Sequence, residues 1–214
     1  MTVLSMLVKI CGITRLEDAE AAIGCGAGAL GFVFWPKSPR FVDPYRARAI
    51  AAKLPPFVAT VGVFVNQPAD AVNGVASLVG LSAVQLHGDE TAAFAAQVRR
   101  PVIKAIGLGN GLDVAPDLWP ARITLLLDVP DAERRGGTGR TIDWAQAAGI
   151  AAGRRVMLAG GLTPENVGDA IEAVRPFGID VSSGVEAGPG VKDHRKLSNL
   201  FQAIHAINHH TPRS

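Results

Sequence analysis

The stretch Val156-Met-Leu-Ala-Gly-Gly-Leu-Thr-Pro-Glu-Asn-Val-Gly-Asp-Ala-Ile-Glu-Ala-Val174, followed closely by Gly178-Ile-Asp-Val-Ser182, holds one complete strand–helix–strand unit. Residues 156–159 form a short apolar run of strand type. Gly160 and Gly161 interrupt it, and Thr163-Pro164-Glu165 reads as an N-cap with proline at the first helical position. From 164 to 174 apolar residues recur at helical spacing, and 178–182 is a second strand. Nearly continuous apolar strands are the pattern of a parallel sheet buried on both faces.

The same unit recurs upstream. Candidate strands lie at 7–11, 29–34, 57–65, 82–87, 102–106 and 123–128, with amphipathic stretches at 16–24, 44–54, 69–79 and 91–98. Intervals of roughly 20–25 residues suit a repeated βα unit. Gly24 and Gly26 are placed to end the first helix. The fifth connection, 107–120, contains three glycines and two prolines, so a short or irregular helix is expected there. A six-stranded, doubly wound open sheet is the competing architecture. Eight units, with no glycine-rich dinucleotide fingerprint after the first strand, favour an α/β single-domain (β/α)8 barrel of TIM type.

Length and composition agree with one domain over 1–214, with 1–6 as a flexible N-terminal extension, Met6 as an alternative start and 209–214 as a polar tail. The chain is 48% hydrophobic with net charge +2, from 21 basic and 19 acidic residues spread throughout. That balance excludes the concentrated basic face that nucleic acid or a membrane surface would require, while leaving room for a small anionic ligand. Two cysteines are too few for a disulfide scaffold. No signal peptide and no apolar run of ~18 residues is found, so a cytoplasmic protein is expected.

Barrel enzymes place their sites at the C-terminal ends of strands. Strand 1 ends in Lys9-Ile10-Cys11-Gly12, and alternation puts Lys9 and Cys11 on the interior face. A thiol beside an ammonium ionises more readily, and a thiolate is a base or nucleophile. The competing meaning of Cys11 is a small buried hydrophobe, which is the meaning assigned to Cys25. Strand 6 ends in Asp128, a carboxyl at the barrel mouth suited to general acid work or, alternatively, to a loop or cap. It precedes a glycine-rich segment, Arg134-Arg-Gly-Gly-Thr-Gly139, that could approach a ligand with bare backbone. After strand 2, Pro36 and Pro39 stiffen a loop that holds out Arg40 as a fork for carboxylate or phosphate. After strands 7 and 8, Gly160-Gly161 and Ser182-Ser183-Gly184 offer backbone N–H groups and hydroxyls at the recurring barrel phosphate site. Gln85 and His87 share one face of strand 4, with His87 read as a packing or hydrogen-bonding residue, and His205, His209 and His210 as a solvated helix end. No cluster has metal-ligand spacing, so neither metal nor cofactor is expected.

These segments together resemble the phosphoribosylanthranilate isomerases. The likeness rests on Lys9-Ile-Cys-Gly-Ile-Thr14, Gly31-Phe-Val-Phe34 with Ser38-Pro-Arg40, Val61-Gly-Val-Phe64, Gln85-Leu-His-Gly88, Leu127-Asp128, Gly136-Gly-Thr-Gly139, Ala159-Gly-Gly-Leu162, Asp180-Val-Ser-Ser-Gly-Val-Glu186 and Pro189-Gly-Val-Lys-Asp193. It spans nearly the whole chain in the family's order. The resemblance implies a cofactor-free Amadori rearrangement of N-(5′-phosphoribosyl)anthranilate. It implies Asp128 as the acid that opens the ring, Cys11 as the base at C2′, and Arg40 on the anthranilate carboxylate. Gly160, Gly161, Ser182, Ser183 and Gly184 would hold the phosphate. Lys9 is expected to help keep Cys11 ionised. Ala187 and Gly188 depart from the pattern, so the loop after strand 8 is expected to have a shape of its own.

Two other readings compete. A histidine-pathway phosphosugar isomerase resembles a barrel with a pair of strand-end aspartates, whereas strand 1 here ends in Cys11. A non-catalytic phosphosugar-binding barrel would have no need to keep both Cys11 and Asp128. The expected partner is a small-molecule substrate, with neither nucleic acid nor membrane, and the assembly is a monomer or a homodimer.

Overall fold

Local chemistry sets most element boundaries in the computed structural model, which describes residues 6–109, 111–112, 116–129 and 142–210. Strand β1 spans Leu7–Cys11 and leads into α1, Leu16–Cys25, which ends where Gly26 turns left-handed at φ 116°. Gly24 lies inside that helix, so only Gly26 acts as the stop. Strand β2 (Ala29–Val33) is followed by α2 (Pro44–Ala51), where Asp43 accepts from the N–H groups of Tyr45 and Arg46 ahead of a first-turn proline. Strand β3 (Ala59–Phe64) and α3 (Ala69–Val79) come next, the helix stopping at left-handed Gly80. Strand β4 (Ala83–Leu86) leads only to a single-turn α4, Ala92–Ala95, capped by Thr91.

Strand β5 (Val102–Gly109) folds back on a two-residue strand, Gly111–Leu112, and continues into one 3-10 turn, Pro116–Leu118. This is the irregular fifth connection that the glycines and prolines imply. Arg154 holds it in place, donating to the carbonyls of Pro116, Trp119, Pro120 and Ile123. Strand β6 (Thr124–Asp128) precedes α5 (Trp144–Ala151), and β7 (Val156–Leu158) precedes α6 (Val167–Val174). Helix α6 starts one turn later than the Thr163-Pro164 signal implies. The Thr163 hydroxyl accepts from Glu165 N–H, while Asn166 folds back on the Thr163 N–H and the Gly161 carbonyl. The capping residues therefore shape a turn that ties the helix start to the β7 loop. Strand β8 (Gly178–Val181) is followed by a 3-10 turn (Ser183–Val185), an antiparallel hairpin (Glu186–Gly188 with Val191–Lys192) and α7 (His194–His210). The helix runs through His210, so residues 209 and 210 of the expected polar tail are helical, and 211–214 lie outside the described residues. Met6, assigned from sequence to a flexible extension, packs against the core.

All eight main strands are parallel, in the order β4-β3-β2-β1-β8-β7-β6-β5, and β4 pairs with β5 to close the ring. Alternation sorts the side chains. Val8, Ile10, Leu30, Phe32, Leu125 and Leu127 belong to the large cluster between barrel and helices, whereas Cys11, Val33 and Val63 form one interior cluster and Ala105, Leu126, Met157 and Ala159 another. No helix among the described residues is long and apolar enough to cross a membrane.

Candidate active site

The interior positions at the C-terminal strand ends open into a cleft. Cys11 and Asp128 both line it. They stand at the tops of β1 and β6, three strands apart around an eight-stranded ring, and so face one another across the mouth. Gly31, the register partner of Cys11 on β2, gives the thiol its room: a methyl group there would come within 2.7 Å of Sγ.

The ionic environment of Cys11 differs from the one its sequence neighbours imply. Lys9 is buried one layer below and bonds Asp180 at 2.8 Å. Burial pushes the Cys11 thiol up, and the Asp180 carboxylate adds to this. The Lys9 ammonium pulls in the opposite direction and is outweighed. Lys9 itself is lowered by burial but raised overall by Asp180 and Cys11. Lys9 therefore favours the thiolate, as its place on the strand implies, but burial and Asp180 together outweigh it and the thiol is pushed up overall.

Asp128 accepts from the Val129 N–H through Oδ1 at 2.8 Å, and its Oδ2 lies 3.4 Å from His87 Nε2. The Gln85 amide donates to His87 Nδ1 at 2.9 Å. An accepting Nδ1 leaves the ring proton on Nε2, directed toward Asp128. His87 thus hydrogen-bonds, as its position suggested, and the group it meets is the candidate acid.

Arg40 lies on the cleft wall, its aliphatic stem running over Gly12, where φ is +79° and a methyl group would meet Arg40 Cδ at 2.8 Å. Its Nε and Nη2 form a fork on Glu186, with distances of 2.9 and 2.8 Å. The phosphate candidates divide by position. Gly160 and Gly161 line the cleft with φ of +82° and +64°, backbone that other residues rarely adopt. Ser182 and Ser183 line it as well, although the Ser182 hydroxyl donates to the Cys11 carbonyl at 3.2 Å. Gly184 lies behind the wall, where a side chain would collide with the Leu162 carbonyl, so the β7 and β8 loops touch there. The glycine-rich segment 134–139 lies outside the described residues.

Sequence reasoning passed over three contributors. Trp35 lines the cleft beside Val33 and Val63. Asp180 also lines it and shares the interior face of β8 with Ser182, which strand alternation could have revealed. Lys192, buried and bonded to Glu186 at 2.9 Å, carried no local signal. Among the described residues, no group of three or more His, Cys, Asp or Glu side chains is placed to hold a metal ion.

Residues 8–203 match the family described as N-(5′-phosphoribosyl)anthranilate (PRA) isomerase. The chain is 51% identical over 195 residues to the N-(5′-phosphoribosyl)anthranilate isomerase of Pelobacter propionicus, which covers 91% of this chain and 93% of that one. It is similar to the crystal structure of phosphoribosyl anthranilate isomerase from Thermus thermophilus, with a TM-score of 0.86 and 46% identity over 94% of this chain and 100% of that one. It is also similar, with a TM-score of 0.81 and 42% identity over 94% of this chain and 99% of that one, to a phosphoribosyl anthranilate isomerase solved in complex with reduced 1-(o-carboxyphenylamino)-1-deoxyribulose 5-phosphate. The chain belongs to the N-(5′-phosphoribosyl)anthranilate isomerase family and is an isomerase of tryptophan biosynthesis.

Proposed function

We propose that the chain carries out an Amadori rearrangement of N-(5′-phosphoribosyl)anthranilate, with Asp128 as the acid and Cys11 as the base. The observation that carries this reading is the placement of the two groups on opposite walls of one cleft, with Arg40 on the same wall surface and the β7 and β8 loops beside it. Asp128 protonates the ring oxygen as the anilino nitrogen pushes its electron pair toward C1′, so the C1′–O bond breaks and a protonated Schiff base forms. Cys11 removes the C2′ proton, and the electrons of that bond form the enolamine as the iminium is neutralised. C1′ then takes the proton back from Cys11, and the enol hydroxyl returns its proton to Asp128, leaving the ketone and the starting form of the enzyme. C1′ is reduced and C2′ oxidised within one molecule, so no cofactor is required.

Cys11 acts as the thiolate, and ring opening creates a cation beside it before the C2′ proton is taken. The iminium favours the thiolate at the moment the thiolate is needed. Arg40 takes the anthranilate carboxylate, and Gly160, Gly161, Ser182 and Ser183 take the phosphate, with Gly184 allowing the two loops to meet. Anchoring both ends of the substrate fixes C1′ and C2′ between acid and base. A phosphorylated substrate and two free cysteines suit the cytoplasm.

The test is turnover of substrate generated in place from anthranilate and phosphoribosyl pyrophosphate, followed by loss of its fluorescence. Cys11→Ser and Asp128→Asn are each expected to lose ~10²–10⁴-fold in kcat. Full activity in Cys11→Ser would remove the thiol as base, and no turnover by folded wild type would overturn the reading.

A further inference from the structure

The Arg40 guanidinium has two edges that can each receive a carboxylate: the side edge of Nε and Nη2, and the end edge of Nη1 and Nη2. Glu186 occupies the side edge with three contacts of 2.8–3.2 Å. The end edge remains for a ligand. Glu186 is itself buried and held by more than Arg40. Lys192 Nζ lies 2.9 Å from its Oε1, and the Gly190 N–H donates to the same oxygen at 3.3 Å. Lys192 also donates to the Ser182 carbonyl at 3.2 Å.

These contacts come from one small device. Glu186 and Lys192 face each other across the antiparallel hairpin that follows β8. Opposite charges placed directly across such a ladder fix its register. The chain of contacts therefore runs from Arg40 through Glu186 and Lys192 to Ser182, whose hydroxyl holds the Cys11 carbonyl. Two cations and one carboxylate leave one positive charge in a largely buried setting, which an incoming carboxylate can neutralise.

We propose that Glu186 is a positioning residue for substrate recognition: by taking the side edge of Arg40, it aims the end edge at the carboxylate of the aromatic acid. This rests on the carboxylate site assigned to Arg40 above. Glu186 touches no part of the substrate in this account and acts through Arg40 alone.

The sign of the effect follows from the fork: without it, the end edge of Arg40 has no fixed direction. Burial lowers Lys192, and Glu186 is the foremost group opposing that. In Glu186→Gln the Lys192 ammonium loses the foremost group that opposes this lowering. Arg40 keeps its charge but is no longer held in direction. The site loses its aim at the carboxylate, so affinity for the carboxylated substrate falls.

The experiment compares wild type, Glu186→Gln and Glu186→Asp on two substrates: phosphoribosylanthranilate and the corresponding phosphoribosylaniline, which lacks the carboxylate. Thermal midpoints are measured alongside. Glu186→Gln is expected to raise KM for the carboxylated substrate about tenfold, equivalent to ~1.4 kcal/mol, with kcat changed by much less. KM for the aniline compound stays where it was, and Glu186→Asp recovers part of the loss. An unchanged KM, or an equal rise on both substrates, overturns the proposal. Should wild type turn over neither compound, binding of anthranilate itself is titrated by its fluorescence. Weaker binding in Glu186→Gln then upholds the role of Glu186 while the proposed reaction falls. Equal binding, or none in either protein, overturns the role as well.

Discussion

Lys9 Nζ lies 2.8 Å from Asp180 Oδ1 in the interior of the barrel, one layer beneath Cys11. The pair places a cation and an anion under the same thiol. Of the two, the cation acts more strongly on it, and burial outweighs both. Lys9→Met removes the main influence lowering the thiol, so Cys11 should ionise at still higher pH. The rate of iodoacetamide alkylation against pH measures this, with the midpoint moving up relative to wild type. An unmoved midpoint would show that Lys9 has no electrostatic hold on Cys11. The substitution also leaves Asp180 buried without its partner, at a cost of about 3–5 kcal/mol.

Gln85 acts on Asp128 through His87. Its amide donates to His87 Nδ1 and so keeps the ring proton on Nε2, toward Asp128. Gln85→Leu frees the ring to adopt the other tautomer or to turn. Turnover should fall, by less than the ~10²–10⁴-fold expected of Asp128→Asn, and nitrogen shifts of the imidazole should report the change of tautomer. Wild-type turnover in Gln85→Leu would mean that the orientation of His87 does not matter to the acid.

At the opposite end of the barrel, Arg154 does for the fifth connection what a helix does elsewhere. Its guanidinium gathers four carbonyls from the segment between β5 and β6. Hydrogen bonds from a charged donor contribute about 1.5–3 kcal/mol, so Arg154→Ala should lower stability by at least that amount in urea unfolding. KM and kcat should remain at wild-type values, because the cleft lies at the other strand ends. A loss of activity in a variant of full stability would contradict this division between the two faces.

Acid should weaken the fold through Asp18 and Glu186. Burial pushes both carboxyls up, but hydrogen bonds win: to Asp18 from Arg15, the Lys192 backbone and His194, and to Glu186 from Arg40 and Lys192. Both groups are held below the usual carboxylate range, which is about 3.9 for Asp and 4.3 for Glu. The unfolded chain thus takes up protons first as pH falls, and stability present above pH ~5 is lost as pH drops through the folded values. Urea midpoints between pH 6 and 3 should decline, and Glu186→Gln should decline less steeply. Parallel curves would remove Glu186 from the account.

The barrel was legible because its signals are local. β1 begins and ends where its apolar run does, and alternation alone places Lys9 and Cys11 inside. Asp128 and the glycine pair at 160–161 were legible because strand ends are where such barrels keep polar groups. Other features depend on contacts between distant residues. Lys9 reads as the partner of Cys11 until β8 brings in Asp180 from 171 positions away. Gly184 reads only as a ligand contact, and the closeness of the Leu162 carbonyl to it depends on how the β7 and β8 loops pack. The start of α6 was misplaced because the Thr163 and Asn166 side chains bond the Glu165 N–H, the Thr163 N–H and the Gly161 carbonyl in a turn ahead of the helix. Glu186 and Lys192 carry no periodic signal, since their meeting depends on the hairpin turning between them.

The seam between β1 and β8 joins the first strand made to the last. During synthesis from the N-terminus, β1 has β2 on one flank and nothing on the other until β8 has left the ribosome. The proposed base is therefore made with β1 but gains its surroundings only once β8 has been made. Until then β1 presents an open edge to any other strand it meets, the exposure through which slowly closing parallel sheets aggregate. Truncation before residue 178 should thus give chains that associate through β1, even though most of the barrel wall is already encoded.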